Sequence, residues 1–237
     1  MCSLRLRRFA AGLPPLPAAP DKPIVCYVTD RKSLGTAAAV SSVLEKIGVA
    51  VQAGVDWIQI REKDLPAREL LALTRDAVST GESCGRKRLV IANDRLDVAL
   101  AAGAAGVHLG SESVPARDVI RWCREGNAPS GFRIGVSCHT IEDASEAESA
   151  GADYVFFGPI YDTPSKSSYG APQGIAQLKD VCSAARIPVI AIGGVNEENA
   201  SECIHAGAAG IAAIRMFQEA RCPQVLAEAV ALLHSQA

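Results

Sequence analysis

No excess of charge of either sign marks this chain. Its formal net charge is -2, so it lacks the global basic field that draws nucleic acid. No apolar run approaches the ~18–20 residues of a membrane span. No Gly-x-Gly-x-x-Gly follows the first apolar segment, so a dinucleotide-binding fingerprint is missing. The eight cysteines include no Cys-x-x-Cys pair, which leaves a zinc or thioredoxin-type reading without support. Several stand inside apolar runs, as Cys26 does in Ile24-Val25-Cys26-Tyr27-Val28. They read as small buried hydrophobes in a reducing, cytoplasmic setting. Aromatic residues are few, at 5%.

What is present suits one large domain or two small ones. The 237 residues are 49% hydrophobic and 21% charged, enough to bury a substantial core. Residues 1–22 stand apart. Leu4-Arg5-Leu6-Arg7-Arg8-Phe9 is basic, and Leu13-Pro14-Pro15-Leu16-Pro17 cannot continue a helix. This stretch is expected to be a disordered leader, with a transit peptide as the weaker alternative; residues 23–237 are expected to form the folded domain.

A short signature recurs through that domain. Ala-Gly-x-Asp or Ala-Gly-Ala-Ala precedes an apolar run at Gly54, Gly103, Gly151 and Gly207, at intervals of 49, 48 and 56 residues. Each glycine fits a helix end able to take positive φ. Further strands are expected at 24–29, 88–93, 133–137 and 188–193. Helices are expected at 36–53, 66–82, 95–102, 115–125, 140–150, 175–185, 197–206 and 223–235. Strands alternating with helices imply parallel pairing and right-handed crossovers. Eight βα units fit an α/β fold, a single-domain (β/α)8 barrel of the TIM type. The alternative is a doubly wound open sheet, which the fourfold regularity disfavours.

The stretch Trp57-Ile58-Gln59-Ile60-Arg61-Glu62-Lys63 alternates like a strand. Ile58 and Ile60 take the face toward the helices. Gln59, Arg61 and Lys63 take the inward face. Inward cations are costly unless paired, hydrated or used on a ligand. A structural salt bridge, with Glu62 or a neighbouring strand, is one account; an anion site at the barrel mouth is the other. Barrels carry their sites at the C-terminal strand ends. The ends of strands one to six carry titratable or hydroxyl residues, while the opposite ends are mostly Ala, Gly and Pro. That asymmetry favours the anion site. After strand seven, Gly193 and Gly194 lead to Asn196, taken as the start of a helix whose bare N–H groups suit phosphate. Gly158 to Gly174 has no hydrophobic period and reads as a flap carrying Thr163, Ser165 and Lys166.

Taken together, the strand-end motifs resemble the thiamine phosphate synthase family, which includes the related thiazole tautomerases. The similar pieces are Gln59-Ile60-Arg61-Glu62-Lys63, Asn93-Asp94-Arg95, Gly106-Val107-His108-Leu109-Gly110, Gly135-Val136-Ser137-Cys138-His139-Thr140, Gly158-Pro159-Ile160-Tyr161 with Thr163-x-Ser165-Lys166, and Ile192-Gly193-Gly194. They run in family order from about Tyr27 to Phe217.

The resemblance implies an enzyme that joins hydroxymethylpyrimidine diphosphate to a thiazole phosphate and releases diphosphate. It implies Arg61, Lys63 and Lys166 on the leaving diphosphate, with Ser137 and Asn93 donating hydrogen bonds. Gln59 would orient the diphosphate or the pyrimidine edge. His108, Thr163 and Ser165 would join the substrate site, and Gly193, Gly194 and Arg215 the thiazole phosphate. Asp94, helped by Glu112, would hold Mg²⁺. Only small-molecule substrates are implied as partners, with neither nucleic acid nor membrane; a homo-oligomer stays open. Two departures stand out. The family pattern Gly-Gln-x-Asp carries a second metal ligand where this chain reads Gly110-Ser111-Glu112-Ser113. Arg215 stands where the family usually has small or hydroxyl residues. A metal-free tautomerase using His139 as acid and base is the alternative within the family. A non-catalytic binder of thiamine intermediates is the alternative outside enzymes.

Overall fold

The computed structural model describes residues 17–18, 20–35, 40–86, 89–163, 171–220 and 222–236. Most of the expected leader, and Ser165 and Lys166 of the expected flap, lie outside the described residues. Eight parallel strands close in sequence order into a barrel. They are β1 (Ile24–Val28), β2 (Trp57–Ile60), β3 (Val90–Asn93), β4 (Gly106–Leu109), β5 (Arg133–Cys138), β6 (Tyr154–Phe157), β7 (Val189–Ile192) and β8 (Gly210–Ala213). Closure is made by β1 on β8, with Val25 opposite Ile211 and Tyr27 opposite Ala213.

Between them run α1 (Val40–Ala53), α2 (Ala67–Ser83), α3 (Leu96–Ala102), α4 (Ala116–Trp122), α5 (Ile141–Ala150), α6 (Gly174–Ala184) and α7 (Ala200–His205). A four-residue turn of helix, α8 (Arg215–Gln218), precedes α9 (Pro223–His234). Strand alternation divides the apolar residues into two layers. Outward residues such as Val25, Ile58, Ile60, Val155 and Ile211 pack with the helices. Inward residues Cys26, Val28, Trp57, Tyr154, Phe156 and Ile190 fill the barrel. Four of the cysteines, 26, 123, 138 and 203, are buried, as expected, whereas Cys84 is exposed. Burial pushes the Cys138 thiol up to about 12, so it stays a protonated small hydrophobe.

Three details differ from the sequence expectation. The helix expected at 197–206 begins only at Ala200. The Asn196 side chain accepts from the N–H groups of Glu198 and Asn199, at 2.9 and 3.1 Å, and Asn199 accepts from Asn196 N–H at 2.8 Å. These local bonds compete with helix and hold a turn instead. The helix expected at 115–125 ends at Trp122 and widens over Cys123–Asn127, where Gly126 takes φ 94°. The helical turn α8 was not anticipated, because four residues carry no readable period.

Small residues set the barrel's width at its lower end. A Cβ on Gly135 would fall 2.1 Å from the Tyr154 ring. That ring is held between Trp57 and Phe156, with centroids 4.8 and 5.5 Å away. Gly135→Ala should therefore cost about 1–3 kcal/mol of stability by overpacking. A thermal melt checks this, with a midpoint lower by roughly 3–10 °C as the expected result.

Candidate active site

The carboxyl ends of the strands surround one cavity of about 620 Å³. Every candidate among the described residues lines it. From β2 and the turn after it come Gln59, Arg61 and Lys63. Asn93 and Asp94 come from the end of β3, and His108 and Glu112 from β4 and its loop. Ser137 and His139 follow from β5, Thr163 from the loop after β6, and Gly193, Gly194 and Arg215 from the ends of β7 and β8. Ser165 and Lys166 are not among the described residues.

The floor is buried and hydrogen-bonded. Gln59 donates its amide N–H to Asn93 Oδ1 at 2.8 Å. Its own Oε1 is buried and accepts no hydrogen bond among the described residues, so an unmet acceptor stands at the base of the cavity. His108 lies beside the Phe156 ring, with centroids 4.2 Å apart. Its Nε2 is 2.9 Å from Ser137 Oγ, and its Nδ1 is 3.3 Å from the Tyr154 hydroxyl. Burial pushes the Tyr154 phenol far up, so it stays protonated. Ser137 is thus held at the cavity wall by a chain of side chains running down the barrel.

The rim carries charge. Glu62 is turned away from Arg61 and Lys63 and accepts Arg31 N–H with both oxygens, each at 3.0 Å. Burial raises the Glu62 carboxyl above its ordinary value, against the hydrogen bonds from Thr29 and Arg31. The salt bridge considered from sequence is therefore made by Glu62 elsewhere. Among the described residues, the side chains of Arg61, Lys63 and Arg215 make no hydrogen bond or ion pair.

Asp94 takes φ 67°, the one positive φ outside glycine among the described residues. Such a conformation costs on the order of 1 kcal/mol for a non-glycine residue. It is anchored by Asp94 N–H donating to His108 O at 2.8 Å, while the next residue, Arg95, turns to Asp97. The Asp94 carboxylate accepts no hydrogen bond among the described residues. No group of three or more His, Cys, Asp or Glu able to hold a metal occurs among them. A hard-oxygen pair, Asp94 and Glu112, nonetheless fits Mg²⁺ in its usual manner, with one or two carboxylates and the remaining positions met by substrate oxygens and water. Ser113 accepts Gly110 N–H at 2.8 Å and so fixes the loop on which Glu112 stands.

After β7, Gly193 and Gly194 take φ 93° and 70°. A Cβ on either would come within 2.7 Å of the loop after β6. Their N–H groups make no hydrogen bond among the described residues, and a turn follows them where a helix N-terminus was expected. His139 gives its backbone N–H to Asp143 at 2.8 Å, alongside the cap of α5. Its ring Nδ1 meets the Gly158 carbonyl. A carbonyl only accepts, so the neutral ring carries its proton on Nδ1.

Sequence reading missed Arg31 and Gln218. Gln218 donates to Tyr27 Oη at 3.3 Å and to Asp30 O at 3.0 Å, tying α8 to the end of β1. Neither residue belongs to a recognisable motif.

Fold and cavity define the class: a (β/α)8 barrel whose charged cavity opens at the carboxyl rim. Residues 25–217 match the thiamine monophosphate synthase family. A thiamine-phosphate synthase of Roseiflexus sp. strain RS-1 is 37% identical over 216 residues, covering 91% of this chain and 87% of that protein. A thiamine-phosphate synthase of Methanocella arvoryzae is 43% identical over 166 residues, 70% of this chain and 74% of that one. The structure of thiamine phosphate pyrophosphorylase from Pyrococcus furiosus is similar with a TM-score of 0.77 at 29% identity, covering 91% of this chain and 97% of that one. The chain belongs to the thiamine monophosphate synthase family.

Cations without partners among the described residues should attract inorganic diphosphate, and salt should weaken that attraction. Titration calorimetry is expected to show Kd rising severalfold between about 50 and 500 mM salt. A Kd indifferent to salt would mean that these side chains do not meet the anion.

Proposed function

We propose that this protein is a thiamine phosphate synthase, a transferase that joins hydroxymethylpyrimidine diphosphate to a thiazole phosphate and releases diphosphate. The observation that carries this reading is the convergence of the cavity. Two rim cations after β2 that are unpaired among the described residues, two side-chain-free backbone donors after β7 and one strained carboxylate after β3 face the same 620 Å³ space. The names of the relatives support it.

The bond from the pyrimidine methylene to the diphosphate oxygen breaks, and its electron pair leaves with the diphosphate. The thiazole nitrogen then forms the new bond to that methylene. Negative charge grows on the leaving group, so donors fixed in advance lower the barrier. Arg61 and Lys63 supply positive charge there; the family resemblance assigns the same role to Lys166, which lies outside the described residues. Ser137 and Asn93 donate hydrogen bonds, Ser137 from the position that His108 gives it. The unmet Gln59 Oε1 suits a donor on the pyrimidine edge. Gly193 and Gly194 hold the thiazole phosphate by backbone N–H, and Arg215 adds a guanidinium to it. His108 and Thr163 complete the substrate walls, and the family resemblance adds Ser165, which lies outside the described residues. Asp94, with Glu112, would hold Mg²⁺, which neutralises charge on the diphosphate when bound.

The direct experiment is an assay of purified protein for thiamine phosphate from the two substrates, with and without Mg²⁺. Turnover that requires Mg²⁺ is the expected result. Thiazole isomerisation without metal would instead make the protein a tautomerase, with His139 as its acid and base; binding without either reaction would make it a carrier.

Two variant sets sharpen this. Lys63→Ala should lower kcat by on the order of 10²–10³ while changing thiazole phosphate binding far less. Equal losses in both would assign Lys63 to the other substrate. Asp94→Asn should raise the Mg²⁺ needed for half-maximal rate or abolish turnover. Ser113→Asp should lower it, because one carboxylate oxygen can keep the bond to Gly110 N–H while the other faces the cavity. Initial rates against Mg²⁺ read both changes.

A further inference from the structure

Lys63 stands in the chain between two carboxylates, Glu62 and Asp64, with Arg61 one residue further back. Such neighbours are the nearest counter-ions along the chain that the two cations have. An ion pair inside this stretch would neutralise the charge that the cavity presents. It would also compete directly with any anionic ligand.

Neither carboxylate makes that pair. Both are engaged by Arg31, on the loop after β1. Glu62 receives the Arg31 N–H at 3.0 Å, and Arg31 Nε lies 4.0 Å from Glu62 Oε2. The other end of the same guanidinium donates to Asp64 at 2.7 Å. Lys32 Nζ stands 3.6 Å from Asp64 as well. Thr29 links the set to Arg61. Its Oγ1 accepts Arg61 N–H at 3.0 Å. The residues on both sides of Lys63 are thus tied to the β1 loop, while Lys63 itself lines the cavity. Arg31 does not.

We propose that Arg31 is a positioning residue. It keeps Asp64 and Glu62 occupied, so that Lys63 and Arg61 face the cavity with their charge available to a diphosphate. This deepens the proposed function and rests on it only in naming diphosphate as the anion. A plain staple between two loops would use the same bonds, so the test must separate charge from shape.

Arg31→Ala keeps the backbone bond to Glu62 and leaves Asp64 only the longer contact with Lys32, at 3.6 Å, so that Asp64 can turn toward Lys63. Titration calorimetry with inorganic diphosphate should give a Kd higher by on the order of fivefold to tenfold, with KM for thiazole phosphate within about twofold of wild type. Arg31→Ala combined with Asp64→Asn removes the released carboxylate and should recover most of the affinity. Arg31→Lys keeps a cation for Asp64 and should stay close to wild type. Thermal melts of all variants register any loss of the staple. Unchanged diphosphate binding in Arg31→Ala overturns the proposal, as does a double variant no better than the single one. Wild-type protein that binds diphosphate but forms no thiamine phosphate overturns the proposed function and leaves this inference standing.

Discussion

Strand polarity is the constraint on which the rest depends. Eight parallel strands hydrogen-bonded in sequence order have all their carboxyl ends on one rim. Residues distant in the chain therefore meet without any long connection. Gln59 and Asn93 come from successive strands and share a 2.8 Å bond. The ends of β2 and β7 line the same cavity although more than half of the chain separates them. Each βα unit needs only local folding to deliver its residue, and barrel closure makes the constellation.

That arrangement was readable where a period or a motif carries it. Alternation along Trp57-Ile58-Gln59-Ile60 separated the helix-packed isoleucines from the inward Gln59. The recurring Ala-Gly signature marked where helices give way to strands, at Gly103 and Gly151 as left-handed caps. Polar strand ends marked the rim. The reading failed where side chains override the backbone's propensity. Asn196 and Asn199 bond to each other's backbone and delay α7. It was silent where partners are distant in sequence and individually ordinary. Ser33 and Gln218 hydrogen-bond across the barrel's closing seam, and no local pattern announces such a pair. The reach of Arg31 to Glu62 and Asp64 is of the same kind.

Charge is handled differently at the two ends of the barrel. At the amino end, Asp56 accepts Val25 N–H at 2.9 Å, Lys22 at 2.7 Å and His234 at 2.7 Å. A single carboxylate there joins β1, the turn before β2 and α9. Arg124 and Asp153 do the same between the end of α4 and the turn before β6. These groups are consumed in holding the fold. At the carboxyl end, Arg31 with Glu62 and Asp64 ties the segment after β1 to the turn after β2, while Arg61, Lys63 and Asp94 line the cavity. A buried or half-buried charge without a partner is destabilising, and the strained backbone at Asp94 adds to that.

The packed interior has a further consequence for traffic. Arg133 lies over the Trp57 ring, 5.6 Å from its centroid, and Trp57, Tyr154 and Phe156 fill the barrel above it. Among the described residues the cavity is a cup with a solid base, open at the carboxyl rim. When two molecules occupy it together, the deeper one has to enter first and the shallower one has to depart before it. The architecture alone therefore imposes a queue, first in and last out, on whatever the cup receives.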